Sequence, residues 1–364
     1  MNPKLYILTI SLIITLSSCS NEKDDYTTIN DKKIALGEEI FNDKNLSNPL
    51  GQSCASCHSP EKAFSDPENR AISEGAVATI FGNRNAPSLS YNVFSPERNY
   101  NTADETFIGG LFLDGRSPNL QEQFIHPMLN PLEMNNNSKT AVVEKIKQAS
   151  YYSKMVELYT NSPFENDILT YVADALMNFQ TSSQVNPFTS KFDYFLQGRA
   201  SFTLEEKKGF ALFKGKALCS QCHVTDPDPI QRKVLFTDFS YDNLGVPKNL
   251  NNPFYTQSTN SAGANYIDLG IGEIVSKTEH IGKFRVPTLR NIFITGPYFH
   301  NGSIKTLEEV VHFYNVRDSK TGEFGPPEVS QNVNTDELGN LGLTKEEEQN
   351  LVAFLKTLTD DYHK

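Results

Sequence analysis

Cys54-Ala55-Ser56-Cys57-His58 and Cys219-Ser220-Gln221-Cys222-His223 are the stretches that decide the fold. In each, two thiols three residues apart on one turn can add to the two vinyl groups of a haem, and the next residue turns its imidazole under the iron. Covalent c-type haem attachment needs all three residues at this spacing. A zinc site would want four protein ligands, and an exported chain could form two disulfides from the same cysteines. Either alternative leaves the adjacent histidine unexplained twice.

The flanks repeat along with the turns. Ile34-Ala35-Leu36-Gly37-Glu38-Glu39-Ile40-Phe41 precedes the first, and Thr203-Leu204-Glu205-Glu206-Lys207-Lys208-Gly209-Phe210-Ala211-Leu212-Phe213 the second. Apolar residues recur in both at helical spacing, and Thr203 with Glu206 forms a capping box. Leu343 to Leu355 reads as a closing helix, capped by Thr344 and Glu347. A helix, a haem turn and a closing helix are the parts of a small cytochrome domain. The spacing therefore predicts a mainly α protein of two tandem cytochrome c-like haem domains, 32–195 and 196–364, joined near 185 to 200. The Gly-, Pro- and Asn-rich tracts at 81–110 and 225–270 lack periodicity and read as long loops around the haems.

Length and charge agree. The chain has 364 residues, enough for two domains, and 33 Lys+Arg against 44 Asp+Glu give a net charge of −11. No overall basic field is present to hold a phosphate backbone, so nucleic acid is not an expected partner. Before the first helix, Lys4 and the apolar run Leu5–Leu16 read as a signal peptide, too short to span a bilayer comfortably. Leu16-Ser17-Ser18-Cys19 resembles a bacterial lipobox, which would make Cys19 the lipidated first residue of an exported chain. Residues 1–18 are then the signal and 19–31 a flexible acidic tether. The membrane is met through the lipid anchor alone, on the periplasmic side of the envelope.

His58 and His223 each fill one axial position. Met177 is the last methionine, so no Met within the second domain can fill the other position there. Between His58 and His126 there is no histidine, and between His58 and Met128 no methionine, so the first haem lacks a sequence-local sixth ligand. An open position on an exported haem c points to ligand binding or peroxide chemistry.

The intervening runs carry a resemblance. Ala63-Phe64-Ser65-Asp66, Arg84-Asn85-Ala86-Pro87-Ser88-Leu89, Asp114-Gly115-Arg116, Pro127 to Met134, Phe284 to Asn291 and Gly296 to Ser303, with the two haem turns, follow one family's order. The pattern resembles the bacterial di-haem cytochrome c peroxidases, in particular their MauG-like branch. The resemblance implies two covalent haems c. It also implies reduction of hydrogen peroxide with electrons from a cytochrome or other redox protein, passed from the C-terminal to the N-terminal haem. A MauG-like oxidation of a protein or organic substrate, and a non-enzymatic di-haem electron carrier, are the alternatives; a homodimer is left open.

The same resemblance assigns roles. Glu133 matches the distal acid-base carboxylate, Pro127 the residue walling the iron, and Gln123 a hydrogen-bonding position. Where other members carry a ligating distal His, this chain has Glu74, so the first haem is expected to be high-spin without prior reduction. His126 is expected to be structural or on the surface rather than a ligand. Tyr314 matches the sixth-ligand position of the second haem, with His312, His300 and His280 as rival donors. Asn85, Thr295 and Pro297 match the oxygen ligands of a Ca²⁺ between the domains. One departure stands out: Leu113 occupies the place of a Trp relay before Asp-Gly-Arg, and the chain has no Trp.

Overall fold

The computed structural model describes residues 28–160, 167–319 and 322–363. Cys19, the expected signal peptide and most of the expected tether lie outside the described residues. Among those described, no helix is long and apolar enough to cross a membrane.

The first helix, α1 (Ile29–Phe41), begins earlier than its apolar repeat suggests. Thr28 caps it and Asp31 completes a capping box, so 29–31, expected to be tether, are helical. A hairpin of β1 (Asn99–Asn101) and β2 (Thr106–Ile108) then interrupts the first of the two expected loops. The short helices α2 (Leu120–Gln123) and α3 (Ile125–Leu129) follow. Next come α4 (Lys139–Gln148), α5 (Tyr152–Tyr159) and α6 (Ile168–Thr181). In the first core, Leu36 and Ile40 of α1 meet Val172, Ala175 and Phe179 of α6, with Val142, Ile146 and Met155 closing the sides.

The second core repeats this plan. After α7 (Lys191–Leu196) and α8 (Leu204–Lys214), the chain runs through β3 (Tyr241–Asp242), α9 (Ile271–Val275) and β4 (Phe284–Arg285), which pairs antiparallel with β3. It closes with α10 (Leu307–Val316) and α11 (Lys345–Lys356). The capping boxes Thr203/Glu206 and Thr344/Glu347 are both formed. The first core ends at Val185 and the second begins at Phe192 of α7, so the change of core falls slightly before residue 195.

Two glycines explain why the helix pairs cross so closely. A Cβ on Gly37 would overlap the carbonyl oxygen of Ala175 in α6, and one on Gly209 would overlap that of Asn350 in α11. Each crossing is backed by three phenylalanines. Phe41, Phe64 and Phe179 have ring centroids 5.2 to 6.1 Å apart; Phe213, Phe236 and Phe354 match them at 5.2 to 6.3 Å. The halves are tied by the Asp360 carboxylate, which accepts from Tyr91 Oη (2.7 Å), Asn291 Nδ2 (2.8 Å) and the Thr189 amide (2.9 Å).

Candidate active site

Both Cys-x-x-Cys-His runs form the same object. Cys54–Ser56 and Cys219–Gln221 are single 3₁₀ turns, and the amides of His58 and His223 donate back to the Cys54 and Cys219 carbonyls at 3.0 and 2.9 Å. The His58 Nδ1 lies 3.0 Å from the Phe64 carbonyl, and the His223 Nδ1 2.9 Å from that of Phe236. A carbonyl only accepts, so each Nδ1 carries the proton and each Nε2 keeps its lone pair for a metal. Phe64 and Phe236 hold those carbonyls in place from left-handed backbone, at φ 58° and 54°, an uncommon conformation for a bulky residue.

The four thiols are free of disulfides, and burial pushes them up to about 11 or 12. Among the described residues no group of three or more His, Cys, Asp or Glu could hold a metal ion, which leaves the zinc alternative without its ligands. Each turn instead faces its own largely apolar cavity. Paired thiols and an oriented imidazole on an apolar cavity fit covalently attached haem c.

The first cavity is lined by Cys54, Cys57 and His58 and also by Glu133, Gln123 and Pro127, so the three expected distal residues meet there. Gln123 ends α2 and Pro127 lies within α3. Glu133 follows in a turn packed on Gly75, whose own Cβ would overlap the Leu132 carbonyl, and its carbonyl accepts from the Ala76 amide at 2.7 Å. Burial holds the Glu133 carboxyl above its ordinary value, and the Arg116 guanidinium and a hydrogen bond from Asn130 Nδ2 (2.6 Å) offset only part of that rise. His126 turns away from this cavity into an outer groove, against Phe112 at 5.6 Å. Glu74 lines the cavity, but its carboxylate is engaged by the Thr79 amide at 2.6 Å.

The second cavity brings Tyr314 of α10 to the same space as Cys219, Cys222 and His223. Burial pushes its phenol well above the usual range, so the side chain is neutral until a cation displaces the proton. Of the rival donors, His312 is held between Glu348 (2.8 Å) and Glu323 (2.9 Å), and His280 packs against Phe107. His300 does line the cavity, but its ring stacks on Phe284 at 3.8 Å.

Asn85, Thr295 and Pro297 share the second cavity, and Asn85 borders the first as well. Its amide nitrogen donates to the Ala71 and Arg70 carbonyls at 3.0 and 3.3 Å, which turns Oδ1 away from them. Leu113 also lines both cavities, with Pro87, Asn92 and Arg285, so the shared wall holds no aromatic ring.

Three features carried no signal in the sequence. Arg84, buried, bridges Asp114 (2.5 Å) of the first half and Asp268 (2.6 Å) of the second. The His300 Nε2 and Glu328 Oε2 are buried and face each other at 3.6 Å, with no hydrogen-bond partner among the described residues. Asn130 lies inside a quoted motif, yet only the fold shows its amide aimed at Glu133.

Two matched haem turns on two cavities, one closed by a tyrosine and one by a carboxylate, define a di-haem c protein. The di-haem cytochrome c peroxidase family matches residues 31–201. The chain is 34% identical over 350 residues to the methylamine utilization protein MauG of Paracoccus denitrificans, covering 91% of this chain and 89% of that one. It is 32% identical to the cytochrome-c peroxidase IdrP2 of Pseudomonas sp. strain SCT, covering 91% and 82%. The diheme peroxidase BthA from Burkholderia thailandensis superposes with a TM-score of 0.79 at 31% identity, over 90% of this chain and 86% of that one. The chain belongs to the di-haem cytochrome c peroxidase family, and its cofactors are two haems c.

Proposed function

We propose that this protein reduces hydrogen peroxide to water with electrons from a cytochrome or other redox protein, entering at the C-terminal haem and used at the N-terminal one. The observation that carries the reading is the meeting of Glu133, Gln123 and Pro127 with His58 in one cavity. Bound there, the haems supply the iron at which peroxide is reduced and the route for two electrons; with two protons, each peroxide yields two waters.

The side chains do the rest. Cys54 and Cys57 fix the first haem and Cys219 and Cys222 the second, while His58 and His223 offer Nε2. Tyr314 would offer its phenol oxygen to the second haem, a hard donor that, once deprotonated, would favour ferric over ferrous iron. Glu133 takes a proton from one peroxide oxygen and returns it to the other, so that the leaving oxygen departs as water rather than hydroxide. Gln123 offers an amide to the bound peroxide. Pro127 walls the cavity without adding a competing donor. Asn85, Thr295 and Pro297 give oxygen ligands for a Ca²⁺ that braces the halves. Cys19 carries a lipid that holds the protein at the periplasmic side of the envelope.

The Glu133→Gln variant tests the reading. Peroxide turnover with a reduced cytochrome is expected to fall at least about 100-fold with both haems still attached. Turnover at the parent rate would remove Glu133 from its role. Tyr314 also favours a second reading, MauG-like oxidation of a protein or organic substrate, which would appear as peroxide-dependent modification of that substrate without an electron donor.

A further inference from the structure

We infer that Asn130 is a positioning residue for Glu133, committing one carboxylate oxygen, Oε1, and leaving Oε2 as the oxygen that exchanges the proton with peroxide. The inference rests on the proposed role of Glu133.

Asn130 ends a turn that leaves it little freedom. Its Oδ1 accepts from the Leu132 amide at 3.0 Å, and its carbonyl accepts from the amides of Glu133 (3.0 Å) and Asn135 (2.9 Å). The side-chain amide is thereby fixed with Nδ2 toward Glu133, donating to Oε1 at 2.6 Å. A short bond to an ionised acceptor is among the stronger ones available, and in a buried site it favours the carboxylate over the acid. Arg116 is the charged side chain whose field acts on Glu133 in the same sense. It is fixed by Asp114, at 3.0 Å, and by the Phe112 ring, 3.6 Å from its guanidinium carbon. Arg116 and Phe124 line both the Glu133 cavity and the outer groove, while Asn130 lines the groove and reaches Glu133 from that side.

A carboxylate with both oxygens free could rotate and present either one. With Oε1 held, the proton is accepted and released at a single atom whose direction the turn sets, and the geometry for both transfers is prepared before peroxide arrives. Net proton count is unchanged: the proton taken from one peroxide oxygen is the proton delivered to the other.

The test uses the holoprotein. N130D keeps an oxygen for the Leu132 amide, and so keeps the turn, while removing the donor to Glu133. Its kcat/KM for peroxide should fall about 10- to 100-fold at neutral pH. The acid limb of the pH profile should move to higher pH, because a carboxylate that loses its donor holds its proton more tightly. The pH midpoint of the ferric first-haem absorption spectrum should move the same way, independently of turnover. N130A, which removes the donor without adding a second carboxyl beside Glu133, gives the second measure and should move the acid limb in the same direction. In an E133Q background, where that titration is absent, N130A should change neither the residual peroxide rate nor the pH dependence of the spectrum.

A parent-like pH profile in N130D or N130A, with E133Q inactive, overturns the role of Asn130 and leaves that of Glu133 standing. An active E133Q overturns the reading beneath it instead.

Discussion

Replacing Gly209 by alanine adds one methyl group where α8 crosses α11. That methyl would overlap the Asn350 carbonyl oxygen and come within 2.7 Å of the Asn350 carbonyl carbon and 2.8 Å of the Phe354 Cβ. None of these atoms can rotate away, so the helices must part by roughly 1 Å. Overpacking of this kind costs about 1 to 3 kcal/mol. Parting also loosens Phe354 from Phe213, now at 5.2 Å, and from Phe210, at 4.8 Å, each contact being worth about 0.5 to 1.5 kcal/mol. Alanine returns about 1 kcal/mol of helix propensity. The balance is a loss of about 2 kcal/mol, which for a chain of this length lowers the apparent melting temperature by roughly 2 to 4 °C. The assay is far-ultraviolet circular dichroism of haem-matched holoprotein. A Gly209→Ala protein melting at or above the parent would refute the close-crossing argument.

Two further outcomes follow from the site and its frame. Burial alone would raise the Asp268 carboxyl, but Arg84 holds it at about 2, below its unfolded value. Its contribution to stability is therefore complete above about pH 4 and lost as pH falls through about 2, so urea midpoints of the parent should drop across that window and those of Asp268→Asn should drop less. Tyr314→Phe removes the proposed sixth ligand, so the electron paramagnetic resonance signal of the second haem should change from low-spin to high-spin with that of the first unaltered; a persistent low-spin signal would make His300 the ligand.

What the sequence made legible was local. The haem turns, the capping boxes at Thr203 and Thr344, and the motif around Glu133 each sit within a few residues, where spacing alone restricts geometry. The Thr28 and Asp31 box is as local, but it lies in an acidic tract whose composition reads as tether, and only the packing of Leu36 and Ile40 on α6 explains why that helix is worth extending. Gly37 and Gly209 were visible as residues, while their reason, a carbonyl on another helix, is set by tertiary contact. Arg84 and Asp268 stand 184 positions apart in tracts without periodicity, so nothing near either one announces the other. Asn130 shows the intermediate case: its motif was readable, but the direction of its amide was not.

The matched phenylalanine triads, glycine crossings and left-handed carbonyl acceptors amount to one scaffold written twice along the chain. The halves part where their cavities are lined: Tyr314 comes to one from a late helix, and Pro127 and Glu133 come to the other from a mid-chain helix and turn. A change in the repeated scaffold should therefore disturb either half in the same way, whereas a change in these lining segments should be felt at one cavity alone.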